Sequence, residues 1–257
     1  MGNLIKMDLL KIRKIKITYV AFLVMVIYDL LINIAAPLLF KMIGSAEIEK
    51  ELEKTIGFSS LVGKPTMTMM MFFAVTAFSY MDIANGYIKN IAGQLANKGN
   101  VVISKLTAAS IYCLIFMIIS GVVNAFTSCV CYKVTFDIEN LPLALCTLLI
   151  KWMLAMGLCA IFVFFTNGIK SNVAAYIIVA LLSTGAAGAA YMGINLGLHK
   201  LGISESFTVN DYAPDMLFDS VDVINGELVA NGIIVAIVCF ILFTFLGVSM
   251  FNKKDVK

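Results

Sequence analysis

Charge is what this sequence has least of. Only 14% of its 257 residues are Asp, Glu, Lys or Arg, against about a quarter in soluble domains. Hydrophobic residues make up 61% and the mean hydropathy is +0.95. A water-soluble fold would lack the polar surface to cover so much apolar side chain, and a bilayer removes that shortage. Histidine occurs once, at His199. With one histidine and scattered acids, no nucleophile–base–orienter set can be assembled, which argues against an enzyme. No CxxC pair or Cys/His spacing indicates a metal. The six cysteines, Cys113, Cys129, Cys131, Cys146, Cys159 and Cys239, lie in or beside apolar runs, where thiols behave as small hydrophobes. Only Cys129 and Cys131 leave an external pairing open. The net charge of +3 and the lack of an aromatic-interleaved basic patch argue against nucleic acid.

A phosphate loop is missing too. The nearest approach, Gly57…Gly63-Lys64-Pro65-Thr66, has five intervening residues where four are needed and puts Pro65 at the required Ser/Thr position. Proline has no N–H to offer a phosphate. No ATPase is expected within the chain.

What the chain does have is long apolar runs. A helix crosses a core of about 30 Å in about 20 residues. Six segments fit: Ile17–Phe40, Pro65–Met81, Leu106–Tyr132, Leu141–Thr166, Val173–Leu196 and Asn231–Phe251. They predict an all-α integral membrane protein with six transmembrane helices in one domain over residues 1–257. Pro65 is a natural first-turn residue. The basic start followed by Ile17–Phe40 is too long for a cleaved signal and predicts a retained anchor. Lys6 stands where myristoylation needs Ser or Thr.

Lys and Arg fix the orientation. One set of connections carries twelve bases, including Lys6, Lys11, Arg13, Lys14, Lys16, Lys89, Lys98, Lys105 and Lys170, against Asp8, Asp82 and Asp255. The other set carries six bases and twelve acids, among them Glu47, Glu49, Asp211, Asp215, Asp219 and Asp222. Both termini are therefore expected in the cytoplasm, and residues 197–230 form the longest external segment.

Two cytoplasmic segments stand out. Residues 1–16 repeat apolar positions at helical spacing with lysines between them, predicting a helix in the interface plane. That helix serves either as a positive-inside anchor or as a docking surface. After the second span, Ile83, Tyr87, Ile88, Ile91 and Leu95 define a short amphipathic helix over 83–97.

The second segment resembles that of the type-2 ABC exporter permeases: an acid, three residues, then Gly-aromatic-Ile-Lys, a polar turn and a further Lys. Asp82, Gly86, Ile88, Lys89, Asn90, Ile91 and Lys105 match that pattern. Asn85 replaces a common Glu, and Lys98-Gly99 replaces a common Arg. The resemblance extends to span count and to the long external segment with Tyr212-Ala213-Pro214-Asp215-Met216-Leu217-Phe218. The nearest subgroup exports phenol-soluble modulins or confers lantibiotic immunity. The resemblance implies a bacterial plasma-membrane permease whose coupling helix, Asp82, Asn85, Gly86, Tyr87, Ile88, Lys89, Asn90, Ile91 and Leu95, docks on a separate ABC ATPase subunit. ATP and magnesium belong to that subunit. It further implies a second permease copy, identical or related, and an amphipathic peptide cargo, with ions or small drugs as the alternative.

Within the spans, Asp29 and Lys151 are costly charges that should face a partner or a wet cavity. Their similar depth leaves a direct pair open, and Lys151-Trp152 equally fits an interfacial anchor. Asn33 and Asn124 add polar lining. Gly185, Gly188, Gly193 and Gly197 carry small residues at close-packing spacing. They serve packing within one subunit or, as the resemblance implies, a dimer interface. The run Met67–Met71 fits lipid-facing or core-filling positions better than an adaptable cargo surface. A scaffold or sensor without transport is the alternative to an exporter.

Overall fold

The structure, a computed structural model, describes residues 1–43, 53–56, 65–86, 99–131, 133–136, 141–169, 172–202, 207–220 and 226–253. The expected N-terminal helix is present as α1, Gly2–Lys14. One extended residue, Ile15, separates it from α2, Lys16–Ile43. The break is held shut from both sides. Ile15 N–H donates to the Lys11 carbonyl at 3.1 Å, and the Thr18 hydroxyl donates to the Ile12 carbonyl at 2.6 Å. The two helices are thus fastened across their joint. One side of α1 packs on the protein's own bundle, against the helices that begin at Pro65 and Asn100, and buries Ile12 and Asp8 there, while Leu10 stays exposed.

Helix α3, Pro65–Ala84, is the central element. Met71, Phe72, Ala74, Val75, Thr76, Phe78 and Ser79 are buried, while Met69, Phe73, Ala77 and Tyr80 are half-covered, so most of the helix surface lies inside the bundle. Of the methionine run, Met71 ends in the core. Around α3 lie α4, Asn100–Cys131, and α5, Leu141–Ile169. The last long helix, described below as α9, packs along α5 more extensively than any other pair. Its approach is set by Gly157, where an added Cβ would stand 3.3 Å from the backbone oxygen of Ala236. In lipid, helices associate through such close backbone contact because burial of apolar surface supplies no extra drive. Phe72 meets Phe162 at 5.0 Å between ring centres, tying α3 to α5.

The fifth expected span is not one helix. The chain forms α6, Asn172–Ser183, then a turn, then α7, Gly188–Lys200. The apolar parts of the two helices are inclined at 70°. Gly185 makes the break with φ of +70°, a left-handed conformation that glycine adopts without penalty. Close-packing spacing over Gly185–Gly188 concealed a turn. Beyond α7, a 3₁₀ turn at Val209–Tyr212 leads into α8, Pro214–Ser220, and α9 runs over Gly226–Lys253.

Among the described residues, four helical stretches are long and apolar enough to cross a membrane: Lys16–Ala35, Asn100–Val130, Leu141–Ile169 and Leu228–Asn252. The bent α6–α7 pair makes a fifth if it counts as one span. The apolar stretch of α3, Thr68–Ala84, is shorter. Two strands that composition did not signal, β1 at Glu53–Ile56 and β2 at Lys133–Phe136, pair in parallel with Glu53 opposite Lys133. They bring the α2–α3 and α4–α5 connections together. At the other end of the bundle Gly99 N–H donates to the Asn252 side-chain oxygen at 3.0 Å, so the end of α9 meets the start of α4.

If Gly157 sets the α5–α9 distance, Gly157→Val should destabilise the protein by about 1–3 kcal/mol through overpacking. Gly193→Val should cost less than about 1 kcal/mol, because open space surrounds Gly193. Thermal unfolding in one detergent tests this, and equal losses would contradict it.

Candidate functional site

The membrane end shared by α1, the end of α3 and the start of α4 holds a buried ion network. Asp82, in the last turn of α3, gives one carboxylate oxygen to each of two lysines. Lys11 Nζ donates to Oδ1 at 2.9 Å, and Lys105 Nζ lies 3.2 Å from Oδ2. Lys105 also donates to the Ser79 carbonyl at 2.9 Å. Lys11 lies 3.7 Å from Asp8 Oδ1, one turn back on α1. Ser104 Oγ donates to Asp8 Oδ2 at 2.5 Å. Two acids and two bases thus balance within one cluster.

The cluster is well removed from water. Side-chain exposure is 1% for Lys105 and 5% for Asp82, against 17% for Lys11. Taking an ion out of water costs several kcal/mol, and only paired, hydrogen-bonded geometry offsets it. Burial raises the pKa of Asp8 above its ordinary 3.8. The Ser104 hydrogen bond and the Lys11 charge oppose that rise, the Asp82 charge adds to it and Lys105 opposes it. An acid whose pKa rises on folding contributes stability that is complete below its unfolded pKa and is lost as pH climbs through the folded one. The ionised form of Asp8 is therefore favoured by Ser104 and Lys11 against its burial.

Asp82 and Lys105 bracket the segment expected to form the coupling helix. The expected start at Ile83 moves, because Ile83 and Ala84 complete α3. Asn85 N–H bonds the Met81 carbonyl and Gly86 N–H the Ile83 carbonyl. Gly86 then turns left-handed at φ +63°, which is how a glycine closes a helix. Asn85 is exposed at that turn. Tyr87, Ile88, Lys89, Asn90, Ile91 and Leu95 lie outside the described residues. Asp82 itself is engaged inside the chain by Lys11 and Lys105.

The polar residues expected within the spans separate into two places. Asn33 Nδ2 donates to Thr127 Oγ1 at 2.6 Å, and the Thr127 hydroxyl donates to the Asn124 carbonyl at 3.1 Å. Asn33 therefore meets Thr127 across α2 and α4, and Asn124 takes part only through its backbone carbonyl. Asp29 is fully buried one turn before Asn33. Lys151 is buried on α5 with Nζ 5.9 Å over the Phe218 ring. Trp152 is no belt residue, since its indole N–H donates to the Ser110 carbonyl of α4 at 3.0 Å.

Phe218 belongs to α8, which buries Leu217 and Phe218 against the bundle. The Tyr191 hydroxyl of α7 donates to Asp215 of α8 at 2.9 Å. Gly188 serves this contact, because an added Cβ would fall 2.7 Å from the Met216 methyl group. Open space surrounds Gly193 and Gly197. The four glycines thus divide into two that build the α7–α8 corner and two that leave a helix surface bare. Cys113 and Cys159 touch at 3.5 Å between sulfurs, inside the bundle. The described residues contain no group of three metal-ligating side chains.

Asp8, Lys11 and Ser104 are the members of the network that the sequence pattern left as plain charges or span residues. The available signal was an acid isolated in a basic helix at i, i+3 from Lys11, a pairing distance on a helix face.

Residues 4–186 match the family described as ABC-2 family transporter protein, and the chain belongs to that family. No curated protein and no solved structure matches it. Membership makes the chain the permease part of an ABC transporter and implies an ABC ATPase as its partner.

Removing Lys105 strands a buried carboxylate, whereas Lys11 reaches water. Lys105→Met should cost on the order of 3–5 kcal/mol and Lys11→Met less, about 1–3 kcal/mol, read from denaturation midpoints in detergent. Equal costs would show that burial does not rank the two lysines.

Proposed function

We propose that the chain is the six-span permease subunit of an ATP-driven exporter whose ATPase docks on the Asn85–Leu95 segment. The observation that carries this reading is the placement of Asp82 and Lys105. They fasten both ends of that segment to each other, and through Lys11 to α1. α1 is in turn fastened to the first span by the Thr18–Ile12 hydrogen bond. A displacement of the segment by an ATPase would travel along this chain of contacts instead of being absorbed by a loose loop. Packed, bistable contacts of this kind convert small shifts into changes between inward and outward states.

In this reading the bent α6–α7 element acts as the fifth span, α3 is the second, and both ends of the chain face the cytoplasm of a bacterium. Two copies, or one copy and a related chain, enclose the path. ATP and magnesium reside on the ATPase. The cargo is an amphipathic peptide, supported by the mostly apolar bundle and the few fixed charges at Asp29 and Lys151. An exporter of ions or small drugs would use the same docking. A scaffold or sensor would need no docking at all.

Co-expression with the ATPase encoded beside the gene tests the docking. The two should co-purify, and deletion of residues 85–95 or Lys89→Glu should abolish or sharply reduce recovery. Recovery unchanged by both alterations would sink the docking assignment. Cargo is then read from ATP hydrolysis in vesicles, where amphipathic peptides should raise the rate severalfold and small drugs should not.

A further inference from the structure

A cavity of about 490 Å³ opens where α1 turns into α2. Met7, Leu10, Ile15 and Met81 supply its apolar wall, and Lys11, Lys14 and Lys16 its charge. The three lysines are not equivalent. Lys11 is held by Asp82 and Asp8 at the back of the cavity. Lys14 and Lys16 are exposed, and among the described residues no carboxylate pairs with either. Leu10 is 44% exposed beside them.

The position of this cavity selects its occupant. The apolar stretch of the first span begins at Lys16, so the cavity lies where hydrocarbon gives way to headgroups. An apolar wall at that level is poorly served by water alone. Two exposed cations at its mouth are poorly served by a neutral acyl chain. The amino end of α2 adds its own preference for an anion. A molecule with a phosphate anion joined to an acyl chain satisfies all three features.

We propose that the cavity binds one anionic phospholipid, with its phosphate between Lys14 and Lys16 and an acyl chain against Leu10, Ile15 and Met81. Bound there, the lipid abuts Lys11 and so touches the ion network from the membrane side. The site depends on residence in a bilayer and not on export or ATPase docking, so it stands or falls separately from the proposed function.

Native mass spectrometry of the full chain in detergent tests the site, using dioleoyl phosphatidylglycerol and dioleoyl phosphatidylcholine as probes. One phosphatidylglycerol should be retained in preference to phosphatidylcholine. Lys14→Gln and Lys16→Gln should each weaken retention about fivefold, the value of one lysine near an anionic headgroup. Lys6→Gln, outside the cavity, should leave retention unchanged. Leu10→Asn should weaken retention without altering either lysine. Excess inorganic phosphate should not displace the lipid. Equal retention of the two lipids, an equal loss in Lys6→Gln, or displacement by phosphate would overturn the proposal. The last two outcomes would indicate a diffuse basic surface or a small-anion site.

Discussion

Asp82 sits between two lysines that come from different helices, and one end of the bundle is organised by that carboxylate. Lys11 arrives from α1 and Lys105 from α4, so a single side chain in the last turn of α3 joins three elements. The arrangement is all or nothing in energetic terms. Each ion has given up water, and each is stable only while the others remain in place. A membrane bundle with no hydrophobic drive between its helices gains from such a contact what a soluble protein gets from its core: a defined register between elements. The register here is that of the N-terminal helix against the two helices that flank the segment from Asn85 to Lys98.

The opposite end is built differently. The short helix α8 presses Leu217 and Phe218 into the bundle, with the Phe218 ring beneath the Lys151 ammonium group. Tyr191 and Asp215 join α8 to the bent α7. One end is therefore clamped by ions and the other closed by an aromatic wedge.

The amino-acid pattern disclosed the long spans well, because a run of about 20 apolar residues has little use outside a bilayer. Helices α2, α4, α5 and α9 lie where composition placed them. The fifth segment misled, since Gly185-Ala-Ala-Gly188 satisfies both a close-packed helix and a left-handed turn, and hydropathy cannot distinguish the two. The parallel pair β1–β2 was invisible because four-residue strands in polar connections leave no periodicity to detect. At the candidate site, Asp82, Gly86 and Lys105 were singled out by the resemblance to the type-2 exporter permeases. Asp8, Lys11 and Ser104 were not, because their contacts run over 71 to 96 residues of separation. Such separations leave no local trace beyond the i, i+3 spacing of Asp8 and Lys11. The glycine that sets the tightest helix approach, Gly157, was overlooked for the opposite reason: it stands alone, and small-residue patterns are recognised only as pairs.

If the Asp82 carboxylate is what holds α1 against the rest of the bundle, its removal should loosen that helix and little else. Hydrogen exchange of the α1 amides, residues 2–14, in lipid nanodiscs tests this most directly. In the parent protein these amides should be protected to a degree approaching that of α4. In Asp82→Asn their exchange should rise by at least tenfold while α5 and α9 remain protected. Protection of α1 that is the same in the parent and in Asp82→Asn would show that the network decorates the contact and does not make it.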